Sequence, residues 1–455
     1  MMLATAAASQ LKRPCAAVAT RSFFNSASVS AMPQVAVDEE FPGVPRATPV
    51  AAKAGKTTVS TAASGLKLAS DNSESLVSTL GVQIAAGSRY ESDETAGLAH
   101  LFSKMAFRAT EARSDLRLYR EVEAIGGVIS TSAGRDAVRY NISVLPEHAS
   151  AAAEILAETT LAPRFAYWDI ALQKEKVKID VENLAACAEA SVLEGVHAAA
   201  FYDDVTLGRP QFTTENLAKF GEDDLWKFYE QYVNSANIAL VASGLEHSAL
   251  TDIANSHFSG VAAGAPVAHP AAKYVGGESR VKKASKLTHV ALGFQTAGAN
   301  CTNYGASQVL KALLQLRAGK KNVKSFLASY EDVGVVGLAG AVAPNQAGAL
   351  VDSFVAEIKQ LASAAPSSEE LAAAKNIANS EAAAALDSRE GRVAVLGKLA
   401  LTQSQFQLPS VAISAVSAKA VQELAQKAVA SRPSLASVGQ LASVPRIDAV
   451  AHKLK

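Results

Sequence analysis

Cysteine is scarce in this chain of 455 residues, which holds only Cys15, Cys187 and Cys301 and no CxxC pair. That excludes a disulfide scaffold and a cysteine-rich zinc site. Net charge is absent as well. Lys+Arg and Asp+Glu both number 43, so a nucleic-acid partner, which needs a basic face, is not expected. Long apolar runs are missing too. The longest stretches free of Lys, Arg, Asp and Glu are Leu287–Leu310, Leu399–Ala418 and Val333–Val351, and each is broken by Asn, Gln, His or Pro. None is an apolar segment of about 20 residues, so any membrane association must come through a partner. No G-x-x-x-x-G-K-[ST] phosphate loop is present, Gly276-Gly277 is too short for dinucleotide binding, and no CxxCH haem attachment occurs. No cofactor is expected, and redox chemistry is not carried by this chain.

What is there reads as globular. Hydrophobic residues make up 49% and charged residues 19%. The length suits two domains of roughly 200 residues each. The N-terminus differs in composition. Residues 1–37 contain no Asp or Glu, while Lys12, Arg13 and Arg21 stand among Ala and Ser. A basic, Ser-rich, acid-free leader is that of an organellar transit peptide. Arg21-Ser-Phe-Phe-Asn-Ser26 followed by Ala-Ser-Val-Ser30 resembles a two-step mitochondrial processing pattern, with Arg ten residues before a mature start near Ala31. Residues 1–30 are therefore expected to be a mitochondrial targeting segment, and 31–57, rich in Pro and Ala, an extended stretch.

A second composition shift lies where Gly264, Pro266, Pro270, Gly276 and Gly277 interrupt any period. It predicts domains at 58–262 and 279–455 joined by a linker at 263–278. The halves look alike. Val82, Ile84 and Ala86 alternate before Gly87, as Val290, Leu292 and Phe294 do before Gly298. Ala162-Pro163 and Ala365-Pro366 each precede a long helical pattern, and strands at Ile238–Ala242 and Leu435–Ser437 each run into Gly. The near-constant separation predicts a duplicated domain. Val138, Tyr140, Ile142 and Val144 alternate as a strand; 148–160, 169–200 and 347–362 read as helices. The fold class is α+β, with helices packed on largely antiparallel sheets.

The helix predicted around 94–107 carries the chemistry. Leu98, Leu101, Phe102 and Met105 form its core face, and His100, Ser103 and Lys104 share another. His-x-x-Ser-Lys invites comparison with His-x-x-Glu-His, in which two imidazoles one turn apart hold zinc and the Glu activates water. The other seven histidines (148, 197, 247, 257, 269, 289 and 452) form no ligand spacing.

The stretch Gly97-Leu-Ala-His-Leu-Phe-Ser-Lys-Met-Ala-Phe-Arg-Ala-Thr110, followed by Arg120-Glu-Val-Glu-Ala-Ile-Gly-Gly127, resembles the pitrilysin-type family. Leu66-Lys-Leu-Ala-Ser70, Val196-His-Ala-Ala-Ala-Phe201, Lys273-Tyr-Val-Gly-Gly277 and Ala328-Ser-Tyr-Glu-Asp-Val-Gly334 follow in that family's order. More narrowly, the chain resembles the group that holds the mitochondrial processing peptidase subunits and the core subunits of the cytochrome bc complex. The resemblance implies two homologous domains facing each other as a bowl. It also implies a zinc motif whose positions fall here on His100, Ser103, Lys104 and, as third ligand, Asp180. Ser103 has no carboxylate to take a proton from water, and the Lys104 ammonium has no lone pair at neutral pH. No catalytic residue, no bound metal and no peptidase activity are expected.

Two non-catalytic roles remain within the group. The inactive partner subunit of the peptidase has a glycine-rich loop that handles presequences. The corresponding region here, Leu310–Phe326, holds Gly319 alone among four lysines and one arginine. That favours a core subunit on the matrix side of the inner membrane. The partners then implied are the first core subunit, as a heterodimer, with cytochrome b, cytochrome c1 and the Rieske subunit in a dimeric complex. The alternative is the subunit that binds presequence peptides for a zinc-bearing partner.

Overall fold

The computed structural model describes residues 55–73, 75–201, 206–301, 303–319, 323–402 and 409–454. The expected targeting segment and nearly all of the extended stretch lie outside these residues.

The first half contributes β1 (Thr57–Thr61), β2 (Lys67–Asp71), β3 (Ser78–Ile84), α1 (Leu98–Met105), α2 (Asp115–Ala124), β4 (Val128–Ala133), β5 (Val138–Val144), α3 (Ala149–Leu161), α4 (Tyr167–Ala186), α5 (Ala188–Ala200), α6 (Glu222–Tyr232), β6 (Ile238–Ser243) and α7 (His247–His257). Residues 261–276 carry neither helix nor strand. The second half contributes β7 (Gly277–Lys282), β8 (Thr288–Ala297), α8 (Tyr304–Ala318), β9 (Val323–Ser329), β10 (Val333–Val342), α9 (Ala347–Ser363), α10 (Ser368–Asp387), α11 (Arg389–Thr402), α12 (Pro409–Ser414), α13 (Ala418–Ala430), β11 (Ser434–Gly439) and α14 (Ile447–Leu454).

The duplication expected from the spacing is present in the topology. One sheet runs β1-β2-β6-β3-β5-β4 and the other β7-β11-β8-β10-β9. In each, one parallel pair (β2 with β6, β7 with β11) is followed by antiparallel neighbours. Apart from β1, the two orders superimpose strand for strand. This is the α+β architecture the alternation predicted.

The expected helix over 169–200 is two helices. It breaks at Cys187, whose backbone is extended (φ −81, ψ 102). The Ala- and Glu-rich sequence has no Gly or Pro to mark that break. The cause is tertiary, because the two pieces serve different halves. α4 packs against α1, whereas α5 lies on the second sheet. There Val192, Val196 and Ala200 bury against Ala291, Val335, Ala436 and Val438. The second half returns the exchange. α10 stays with α8, and α11 crosses to the first sheet, where Val393, Leu396 and Ala400 meet Ala69, Ala239 and Val241. Each half thus lends one helix to cover the outer face of the other's sheet. Fully burying a Val or Leu contributes about 1.5–3 kcal/mol, so Val393 and Leu396 alone weld the halves firmly.

The inner faces hold the two main cores. Leu68, Leu80, Val82, Ile84, Tyr140 and Ile142 pack with Leu101, Phe102 and Leu156 in the first. Val290, Leu292, Phe294, Val336 and Leu338 pack with Leu310, Leu313, Phe354 and Ile358 in the second. A central strand such as β3 is therefore buried at every position, its period of two dividing contacts between two helical layers. Charged pairs also cross between the halves. Arg89, with a side chain 1% exposed, reaches Asp332 at 2.6 Å, and the Asp332 carboxylate accepts from the Ala272 N–H at 2.6 Å.

Candidate functional site

α1 is shorter than its sequence pattern, eight residues in place of fourteen, for two local reasons. At its start Gly97 is left-handed (φ 93), a conformation glycine adopts at little cost. At its end Ala106 is extended and Phe107 has φ 55, the one non-glycine residue with positive φ among those described. The free N–H groups of the first turn are met by Glu91, whose carboxylate accepts from Gly97 at 3.0 Å and Ala99 at 2.7 Å. Burial pushes the Glu91 carboxyl up to about 7, against the pull of those two donors. Nothing in the sequence singles Glu91 out, since it stands among Ser92, Asp93 and Glu94.

Leu98, Leu101, Phe102 and Met105 are buried as the spacing predicted. The same helix turns His100 and Lys104 toward α4, which supplies Asp180. Three of the four motif positions, His100, Lys104 and Asp180, meet at this point. His100 Nε2 lies 3.0 Å from Asp180 Oδ2, and Lys104 Nζ lies 2.7 Å from the same oxygen. Ser103 does not join them; its hydroxyl donates to the carbonyl of His100 at 2.7 Å. Phe212 packs on the imidazole with ring centroids 4.3 Å apart, a contact no local pattern foretold.

The electrostatics follow from these contacts. Burial, then the Lys104 charge, lowers the His100 imidazole to about 4, outweighing Asp180. It is therefore neutral at pH 7, with Nε2–H donating to Asp180. Burial alone would raise the Asp180 carboxyl, but the hydrogen bond and charge of Lys104, helped by His100, hold it below the usual carboxylate range. The cluster is an ammonium, a carboxylate and a neutral imidazole joined through Asp180 Oδ2, with the buried His100 Nδ1 left without a hydrogen-bond partner.

The donor set does not fit zinc. A protein zinc site needs lone-pair donors converging on one point. Here one of the three converging groups is a cation already bonded to the carboxylate, and Ser103 offers no base. Among the described residues no three His, Cys, Asp or Glu side chains gather as a metal-holding group. The cations that flank the Gly319 region sit on α8 and β9 and are ion-paired there; residues 320–322 lie outside the described residues. Lys311 pairs with Glu381 at 2.9 Å, Arg317 with Glu370 at 3.0 Å and Lys324 with Glu189 at 2.7 Å.

Comparison with known proteins agrees with this architecture. Residues 67–215 match the model for insulinase, peptidase family M16, and residues 219–378 that for the peptidase M16 inactive domain. The chain is 28% identical to the mitochondrial-processing peptidase subunit alpha of Solanum tuberosum, over 88% of this chain and 85% of that protein. It is 27% identical to the cytochrome b-c1 complex subunit 2 of Mus musculus, over 84% of this chain and 90% of that one. A chain of the Candida albicans complex III2 structure with Inz-5 bound superimposes with a TM-score of 0.77 at 16% identity, covering 88% of this chain and 100% of that chain. The paired sheets, the helix carrying His100 and the two adjoining domain matches together place this chain in peptidase family M16, as a two-domain member.

Proposed function

We propose that this chain is a non-catalytic core subunit of respiratory complex III, a matrix-side scaffold needed for assembly and stability of the ubiquinol–cytochrome c reductase. The observation that carries the reading is the Lys104–Asp180 ion pair in the motif where a catalytic member would hold zinc, with Ser103 turned onto its own helix. The peptidase fold is kept and its chemistry is not. No helix among the described residues is long and apolar enough to cross a membrane, so attachment to the complex runs through protein contacts. Its partners are the first core subunit, as a heterodimer, and through the assembly cytochrome b, cytochrome c1 and the Rieske subunit. Tyr167, Trp168, Leu172 and Ile179 along α4 are each more than half exposed, apolar surface of the kind an obligate interface covers. Residues 1–30 direct import into the mitochondrion, and the domains divide at a linker over 263–278.

A second reading is favoured by the 28% identity to a processing-peptidase alpha subunit. In it the chain binds presequences for a zinc-bearing partner. The scarcity of glycine over Leu310–Phe326, which holds Gly319 alone, argues against a glycine-rich presequence loop there. Deletion separates the two. The scaffold reading expects loss of assembled complex III on native gels and loss of its haem b and haem c absorbance. Normal amounts of complete complex III with impaired presequence cleavage would decide for the second reading.

A further inference from the structure

Beside the Lys104–Asp180 pair, the C-terminal end of α1, the middle of α2, the edge strand β4 and α4 line a half-open cavity of about 210 Å3. Its charged lining is Lys104, Arg108 and Lys176, and no carboxylate lines it. Tyr119, Thr131 and Gln173 supply the polar remainder. Two of the cations have partners outside the lining, Lys104 on Asp180 at 2.7 Å and Arg108 on Asp115 at 3.4 Å. Ser130 is also taken, donating to Glu390 at 3.1 Å. Lys176 makes no ion pair with any described residue, and burial with the charges of Arg108 and Lys104 lowers its affinity for a proton. Two buried donors are left without partners here, the Gln173 amide nitrogen, on a residue 1% exposed, and Arg108 Nε. An unpaired buried donor costs about 1–3 kcal/mol, and three cations crowded round one space repel each other. An anion with several acceptor oxygens would meet those donors and balance the unpaired Lys176 charge. The positive φ of Phe107, itself in the lining, is a further strain held at this spot.

We propose that this cavity binds a phosphate-class oxyanion, either inorganic phosphate or the head of a phosphomonoester, held by Lys176, Arg108 and Gln173 with Lys104 at its rim. A water takes about 30 Å3 in the liquid, so the space admits such a group with part of its hydration. The site stands next to the degenerate zinc motif and shares only Lys104 with it. It does not rest on the scaffold reading, and either can fail alone.

The test uses the full chain in its native assembly, wild type beside Lys176→Met and Gln173→Leu. Folding of each variant is checked by circular dichroism and by its thermal midpoint in chloride. Equilibrium dialysis with labelled phosphate at constant ionic strength should show one more phosphate per chain in wild type than in Lys176→Met. The wild-type midpoint should rise by a few degrees in phosphate relative to chloride, with that rise lost in Lys176→Met and reduced in Gln173→Leu. Vesicles of phosphatidylcholine with and without phosphatidic acid distinguish the source. Binding that needs phosphatidic acid and Lys176, without uptake of free phosphate, assigns the site to a lipid head. If folded wild type and Lys176→Met bind phosphate and both vesicle types equally, the proposal is overturned.

Discussion

Replacing Gly397 by Ala sets helix propensity against tertiary packing and lets the sign of the result decide. Gly397 lies inside α11, where Ala is better than Gly by about 0.8–1.0 kcal/mol. An isolated helix would be stabilised. In the folded protein a Cβ at this position would overlap the side-chain amide of Gln83. Gln83 is fully buried on β3 and donates to the carbonyls of Val393 at 2.9 Å and Ala394 at 3.2 Å. To admit the methyl, that amide must swing away or α11 must lift off the sheet. Overpacking costs about 1–3 kcal/mol, and each hydrogen bond lost costs about 0.5–1.5 kcal/mol. After the propensity gain the net destabilisation is about 1–5 kcal/mol. Urea unfolding followed by tryptophan fluorescence and by circular dichroism measures it. Gln83→Ala in the Gly397→Ala background removes the obstacle, so the double variant should lose less stability than the two single losses added together. Gly195 lies inside α5 facing β11 and β7, where a Cβ would stand 3.1 Å from Ala436 and Ser279. Its replacement by Ala should cost less, because those neighbours need give only a little. Gly397→Ala as stable as wild type, or more stable, would refute the seating of α11 on the first sheet and with it the exchange of helices between halves.

Three further outcomes follow from the same contacts. Lys104→His should create a zinc site of two imidazoles and Asp180, since His100 Nε2 and Asp180 Oδ2 already stand 3.0 Å apart; one additional zinc per chain by mass spectrometry, without peptidase activity for want of a base at Ser103, is the expected result. His197 is lowered to about 3 by burial and by the Arg135 charge, and its ring bridges Leu193 O at 2.8 Å and Tyr330 Oη at 2.8 Å between the halves. Since the unfolded chain binds the proton more readily, its contribution is full above the ordinary value near 6.5 and is lost as pH falls toward the folded one; the stability gap between wild type and His197→Gln should shrink from pH 7 to pH 5. Asp332→Ala strands the buried Arg89 guanidinium, whose other acidic neighbour Asp136 is 3.6 Å away, and should cost about 3–5 kcal/mol, read as a lower urea midpoint.

Sequence alone determined the elements whose cause is local. The alternation at Val138–Val144 is strand β5 residue for residue, because a strand between two layers shows its period directly. Ala365-Pro366 stands directly before α10, where the pattern placed a helix start. The repeated spacing between the halves was visible because both copies keep the same strand and turn order. The spacing of a family pattern singled out His100, Ser103, Lys104 and Asp180, and the fold brings His100, Lys104 and Asp180 together. What only the tertiary structure decided is where separated segments come to rest. Nothing in the run from Tyr167 to Ala200 marks a break at Cys187, yet the chain turns there because α4 and α5 bury against different sheets. The end of α1 depends on Glu91, Gly97 and Phe107 acting through contacts no periodic pattern records. Sequence could say that Lys104 is no zinc ligand. Only the fold could bring Asp180 to 2.7 Å from it, leave the Gln173 amide nitrogen without a partner among the described residues, and seat one half's helix on the other half's sheet. Those arrangements depend on long-range burial, and burial belongs to surfaces that exist only once the chain has folded.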